Sequence, residues 1–186
     1  MSDRPAFDFI AQALSGFMSV NGTEETGPMR AAMPISDLVA GLYCAFGIVC
    51  ALQARSRNNE GQRVEASLTS SLVSMMAYLS SESFVKGKAP NKSGNNHPIL
   101  APYGLFKSSD GEVAVAPASD KFCNVFLKCI ELSDLLDQGL YKNNENRMKN
   151  RESLNNIIND KMSKNTSDFW IEKLNDAGCP AAKVAS

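Results

Sequence analysis

Between Asp37 and Arg55 the chain carries no charged side chain, and from Leu38 to Leu52 nearly every position is apolar. A helix through this segment is hydrophobic on every face and must be covered on all sides. Its dense apolar part is 15 residues long, shorter than the roughly 20 that a bilayer requires. It is therefore read as a buried core helix, from Asp37 to about Arg57, and no membrane partner is expected. A second apolar helix is expected from about Thr69 to Val85, and short alternation at Val64, Ala66 and Leu68 suggests a strand between the two. Two such helices and one strand cannot cover each other completely. The missing cover is expected from a partner subunit or from further chain of a longer protein.

The remaining composition is that of an ordinary soluble protein. The 186 residues carry 19 Lys+Arg against 20 Asp+Glu, which gives no clustered positive charge for a nucleic acid or an anionic surface. The cysteines are Cys44, Cys50, Cys123, Cys129 and Cys179. Their odd number, the lack of C-x-x-C spacing and the apolar helical setting of four of them argue against zinc or disulfides and fit a reducing cytoplasm. Met1 to Pro5 lacks the apolar core of a signal peptide.

Apolar periodicity over Phe7 to Val20 predicts a helix that stops near Gly16, followed by loop chemistry from Asn21 to Pro28. Pro34, Ser36 and Asp37 supply a helix start signal, because Ser and Asp side chains accept bonds from unpaired first-turn N–H groups. The Pro, Asn, Ser, Gly and Lys content of Ala89 to Pro98 marks a domain boundary. Beyond it, Tyr103–Phe106 and Glu112–Ala116 flank Ser108-Ser109-Asp110-Gly111 as a β-hairpin with a four-residue turn. The rest reads as helical: Ser119–Leu132, a short Asp134–Gln138, an Asn-rich Glu145–Met162, and Ser167–Ala177 capped by Gly178.

Asp37 is the most informative single residue. It is either a helix cap or a carboxylate held and aimed at a helix N-terminus, as a covalent nucleophile must be. Asp8 carries the same ambiguity. His97 is the sole histidine, so a metal site lacks a second ligand of its kind, and contact with a ligand or a backbone carbonyl is the modest reading. No glycine-rich phosphate loop, zinc-protease motif or nucleophile elbow is present. Gly41 and Gly47 read as sites of close helix packing, and Trp170 and the methionines as core.

Taken in order, several segments resemble the middle of a family III CoA-transferase, the group that includes carnitine CoA-transferases and α-methylacyl-CoA racemases. They are Arg4-Pro5-Ala6-Phe7-Asp8-Phe9-Ile10-Ala11-Gln12, Ser15-Gly16-Phe17-Met18-Ser19, Pro34-Ile35-Ser36-Asp37-Leu38 with Gly41-Leu42-Tyr43, and Gly61-Gln62-Arg63-Val64-Glu65-Ala66-Ser67-Leu68. They continue with Gly94-Asn95, His97-Pro98, Ala101-Pro102-Tyr103, Asp110-Gly111, Asn150-Arg151, Trp170 and Ala177-Gly178-Cys179-Pro180. The order and spacing over nearly the whole chain carry the resemblance.

The resemblance implies an α/β fold in incomplete form, with residues 1–88 a helix-rich part of the large, CoA-binding domain and 89–186 an α+β small domain containing the hairpin. It implies that Asp37 is the catalytic aspartate, working through aspartyl anhydride and aspartyl-CoA thioester intermediates on an acyl-CoA and a carboxylic acid acceptor. CoA is then a substrate, no metal is needed, and no tightly bound cofactor is expected. Phe7, Asp8, Asn95 and His97 are implied as substrate or CoA contacts, and an interlocked homodimer as the assembly. At the position of Phe7 the racemases carry a His and many transferases a Tyr; Phe transfers no proton, which disfavours racemase activity. The family's preceding nucleotide-binding half and the C-terminal end that completes the large domain are absent from this sequence, so a central fragment inactive by itself is expected. The alternative is a noncatalytic assembly module that uses the family's dimer surfaces.

Overall fold

The computed structural model describes residues 5–185; Arg4, which opens the motif series, lies outside them together with the N-terminal run before it and Ser186. The chain divides into two compact units, one ending at Gly94 and the other starting at Asn95.

The regular elements of the first unit are all helices among its described residues. Helix α1 (Asp8–Leu14) and helix α2 (Phe17–Val20) are separated by Gly16, whose φ of +83° turns the chain where the expected single helix was to stop. Helix α3 (Ile35–Asn58) is the long apolar helix, and Asn59 closes it in the left-handed conformation with φ 57°. Its helix partners within the unit are α4 (Leu68–Met75) and α1. The second apolar helix is in fact two, because Ala77 at φ 47° breaks the run and α5 (Tyr78–Lys86) starts anew.

Four expectations for this unit need correction. The strand at Val64–Leu68 does not form: residues 59–67 carry no regular structure and Leu68 opens α4. A strand needs a neighbour for its N–H and C=O groups, and none lies beside this segment among the described residues. The segment instead packs against α3, with a Val64 methyl 2.7 Å from where a Cβ on Gly47 would stand. Gly47 therefore serves close packing as expected, whereas the same position on Gly41 has no neighbour. Helix α3 itself is long and apolar enough to cross a membrane, yet within this chain it buries only Ser36, Val39 and Ala40. Leu42, Phe46 and Val49 are 71%, 70% and 62% exposed, so the cover that the sequence demands does not come from the described residues. Met29, Met33 and Met75 are exposed as well and are not core.

The second unit holds a closed hydrophobic core. Strands β1 (Gly104–Ser108) and β2 (Gly111–Val115) form an antiparallel hairpin. The turn is tighter than expected, since Ser108 pairs with Gly111 and only Ser109 and Asp110 lie between them. A third strand, β3 (Ala181–Lys183), pairs antiparallel with β2 in a segment beyond the last expected helix, for which no element was anticipated. Helix α6 (Asp120–Cys129) and a short 3-10 turn (Ser133–Asp137) follow the hairpin. The Asn-rich stretch forms two helices, α7 (Asn144–Lys149) and α8 (Arg151–Met162), divided at Asn150. Helix α9 (Ser167–Asp176) ends at Gly178, φ 77°, where the Cys179 N–H reaches back to the Leu174 carbonyl at 2.8 Å. That bond is the expected glycine-capped stop.

Alternation along β1 and β2 sends Phe106, Val113 and Val115 inward onto Phe126, Leu127, Leu154, Ile158, Trp170 and Leu174. The Trp170 indole N–H is satisfied by the Met162 carbonyl at 2.7 Å. Arg147 is 2% exposed, and its guanidinium donates to the Ala101 and Tyr141 carbonyls and pairs with Asp120. A buried charge persists only with such complete pairing. Asp110 joins the hairpin turn to the start of α9 by accepting from the Ser167 N–H at 2.6 Å, the Ser167 hydroxyl at 3.2 Å and the Ser108 hydroxyl at 3.0 Å.

Two outcomes test this account. Leu174→Ala opens a cavity in the core and should cost roughly 2–5 kcal/mol, read by urea denaturation through the fluorescence of Trp170, the sole tryptophan. The Ser167 N–H bond above all, aided by the two hydroxyls and Lys183 against a smaller opposing effect of burial, holds the Asp110 carboxyl below its ordinary value of 3.8. A depressed native value stabilises the fold above the unfolded value, and this contribution is lost as the pH falls through the native one. The melting-temperature advantage of the wild type over Asp110→Asn should therefore hold at neutral pH and shrink on acidification below pH 3.8; an advantage that does not change with pH would contradict the assignment.

Candidate functional site

The head of α3 is assembled from residues far apart in sequence. Pro34 is its N-cap residue and supplies no side-chain cap, and the Ile35 N–H turns back onto the Met33 carbonyl at 2.8 Å. Neither Ser36 nor Asp37 caps the helix in the expected way. The Ser36 N–H, one of the donors that a helix start leaves unpaired, is taken by Asp8 Oδ1 at 2.9 Å, from the first residue of α1. The same Oδ1 accepts from the Ser36 hydroxyl at 2.8 Å. Asp8 Oδ2 accepts from the Gln12 side-chain amide at 2.7 Å, and Gln12 Oε1 in turn accepts from the Ala31 N–H at 2.8 Å.

Asp8, Gln12 and Ser36 are all buried, the last two completely. Burial pushes the Asp8 carboxyl up, but the Ser36 N–H and hydroxyl, the Gln12 amide and the Arg30 charge together outweigh it, and the group lies below its ordinary value. It is therefore an internal anion with both oxygens engaged. Asp37 stands one residue beyond Ser36 in the first turn of α3; it is exposed, and no described residue bonds to its carboxylate. Phe7, the N-cap residue of α1, is 80% exposed. The first unit thus brings Phe7, Asp8 and Asp37 to one end of α1 and α3. An apolar cavity of about 290 Å³ in this unit, lined by Val20, Val73, Met76, Leu79 and Phe84 among others, includes none of the three.

Asn95 and His97 belong to the second unit. The His97 N–H donates to the Tyr103 carbonyl at 3.0 Å, its ring lies 4.8 Å from that of Tyr103, and its carbonyl accepts from Arg151 at 2.6 Å. His97 Nδ1 accepts from the Ile99 N–H at 3.3 Å, which leaves the proton of the neutral ring on Nε2. Burial first, and the Arg151 charge second, lower its pKa, so the imidazole is neutral at pH 7. Gly104 admits this loop closely, because a Cβ there would stand 2.9 Å from the Asn95 carbonyl oxygen. Asn95 is exposed and lines an open groove of about 380 Å³ across the outer sheet face, where Leu105, Ala114 and Ala182 sit side by side. Among the described residues no group of His, Cys, Asp and Glu could hold a metal ion.

Sequence reasoning did not single out Gln12 and Ser36 as members of the site. The Asp8–Gln12 spacing of four residues, which puts both on one face of α1, was the available signal for Gln12. No local signal links Ser36 to Asp8, 28 residues earlier.

The family model for CoA-transferase family III matches residues 1–186. The chain is 33% identical over 181 residues to a succinyl-CoA:mesaconate CoA-transferase of Haloarcula hispanica, covering 97% of this chain and 45% of that relative. It is 27% identical over 184 residues to a human succinyl-CoA:glutarate CoA-transferase, covering 99% and 42% respectively. A crystal structure of a CAIB/BAIF family protein from Brucella suis superposes with a TM-score of 0.83 at 25% identity, over all of this chain and 49% of the other. The chain thus spans less than half the length of these relatives. With the whole of it matched in sequence and fold, the chain belongs to CoA-transferase family III.

Proposed function

We propose that this chain carries the nucleophile of an enzyme that moves CoA from an acyl-CoA to a carboxylic acid, and that Asp37 is that nucleophile. The observation that carries the reading is the division of labour between two aspartates at the head of α3. Asp8 performs the capping that Asp37 could have performed, and the Asp37 carboxylate is left exposed without a bond from any described residue.

In this reading an Asp37 oxygen attacks the thioester carbonyl carbon. The C–S bond breaks, and CoA leaves as thiolate from an aspartyl–acyl anhydride. The thiolate then attacks the aspartyl carbonyl, releasing the first acid as carboxylate and leaving aspartyl-CoA thioester. The acceptor carboxylate repeats the two steps in reverse order, so Asp37 returns unchanged and no electrons are exchanged with any outside group. Holding the CoA body and excluding water lets a weak nucleophile suffice. Phe7 supplies an apolar wall that neither donates nor accepts a proton, which separates this site from a racemase. Asn95 and the neutral His97 are assigned to the acyl or acceptor carboxylate.

The activities for which the relatives are named point to short dicarboxylates, with succinyl-CoA as donor and glutarate or mesaconate as acceptor. Because the chain spans 42–45% of those relatives, the activity is assigned to the protein together with the surface that their remaining length supplies, in a homodimer within the cytoplasm. The large bare face of α3 supports the need for such cover.

The full product of the reading frame that contains this chain should convert succinyl-CoA plus glutarate or mesaconate into the new acyl-CoA and free succinate, as followed by liquid chromatography. Asp37→Ala should lower the rate by several orders of magnitude. Undiminished exchange in that variant would remove Asp37 from its role.

A further inference from the structure

The geometry points to Asp8 as a positioning residue that sets the attack geometry of Asp37 by gripping Ser36, the residue immediately before it. The inference rests on the reading of Asp37 as nucleophile.

Asp8 Oδ1 holds Ser36 at two atoms, the N–H at 2.9 Å and the hydroxyl at 2.8 Å. Both bonds are charge-assisted, which makes them stronger than neutral ones. They sit where water does not compete, since Ser36 is completely buried. With one residue held at both its backbone and its side chain, the first turn of α3 has little freedom to rotate or slide. Asp37 belongs to that turn. The second arm works on the chain leading into the helix: Asp8 Oδ2 fixes Gln12 at 2.7 Å, and Gln12 fixes the Ala31 N–H at 2.8 Å. The approach to α3 is thereby tied to the same carboxylate as its first turn.

Such a device matters for a carboxylate nucleophile. Asp37 is a weak nucleophile whose rate depends on near-attack geometry, and a displacement of about 1 Å can cost about 100-fold in rate. No described side chain restrains the Asp37 carboxylate directly, so its aim depends on the backbone beneath it. The Asp8 network is the one set of side-chain bonds among the described residues that holds that backbone at Ser36.

The donor and acceptor pattern supplies a sharp test. Asp8→Asn keeps an oxygen for Ser36 but turns an NH2 toward the Gln12 amide. If Gln12 flips to accept from Asn, its own NH2 then faces the Ala31 N–H; two donors confront each other either way. Adding Gln12→Glu resolves the conflict between donors, because one Glu oxygen accepts from Asn and the other from Ala31; the 3.5 Å contact from Gln12 to the Met33 carbonyl is lost, and the negative charge moves from the Ser36 acceptor to residue 12. In the full reading-frame product, Asp8→Asn should lower kcat roughly 10- to 100-fold while KM for the acyl-CoA stays within about threefold of wild type. The pair Asp8→Asn with Gln12→Glu should recover part of that kcat, because the donor–acceptor pattern is restored without the charge on the Ser36 acceptor.

Unchanged kcat in Asp8→Asn, or a loss that the double variant does not recover, overturns the positioning role. Should Asp8→Asn not fold, Ser36→Ala removes the 2.8 Å bond and keeps the 2.9 Å one; a several-fold fall in kcat at constant KM supports the role, and an unchanged kcat overturns it. Asp37→Asn in the same assay separates the two readings. Retained turnover there defeats the nucleophile itself, whereas lost turnover there with full activity in Asp8→Asn defeats only the positioning role.

Discussion

Helix α3 sets the terms for the first unit. An uncharged run from Leu38 to Gln53 forms a helix whose every face seeks burial, and the elements that pack on it in this chain, α4, α1 and the irregular segment around Val64, occupy only part of its surface. The result is a continuous display of large apolar side chains that includes Leu42, Phe46, Val49 and Leu52, each more than half exposed. A monomer does not normally leave an apolar patch of this kind to water. The second unit provides the contrast. Its core is closed by its own helices and sheet, with Phe126, Leu154, Ile158 and Leu174 fully buried. The two halves of the chain thus differ in self-sufficiency, even though their hydrophobic helices look equally convincing in sequence.

What the sequence made visible follows the range over which each interaction acts. Periodicity and capping residues are local, so α3, α6, α9 and the Gly178 stop were readable from neighbouring residues alone. The β1–β2 hairpin was readable for the same reason, although the turn proved shorter because Ser108 and Gly111 pair. What escaped depends on distant partners. The alternation at Val64, Ala66 and Leu68 is a sound strand pattern, but a strand exists only beside another, and here the segment lies along α3. Strand β3 is three residues long and gains its identity from pairing with β2 some seventy residues earlier. The break at Ala77, with φ 47° in a residue that rarely adopts it, has no local signal in the sequence.

The candidate site divides along the same line. Asp37 stood out in the sequence because an acid at the mouth of an apolar helix is a local anomaly. Its relation to Asp8 was not, since the bonds that define it span 28 residues. Both acids carried the same ambiguity between cap and chemistry, and each had to be judged alone. The structure couples the two assignments, because the donor at Ser36 needs one carboxylate and the other is then released from capping.

Environment, not residue type, therefore separates the two aspartates. Asp8 is surrounded by donors on both oxygens, and those donors overcome the burial that would otherwise favour its neutral form. A carboxylate so engaged has its lone pairs committed and cannot attack a carbonyl without first breaking bonds in a buried site, where unmet donors are costly. Asp37 has no such commitment among the described residues and stands in the first turn of a helix, where the N-terminal end of the helix dipole favours a negative charge. A nucleophile needs that combination of charge, access and a firm backbone. For the proposed nucleophile two acids serve where one could not: a carboxylate that capped its own helix would commit the lone pairs that an attack needs. Placing the cap on α1 fixes the head of α3 and leaves the Asp37 carboxylate exposed.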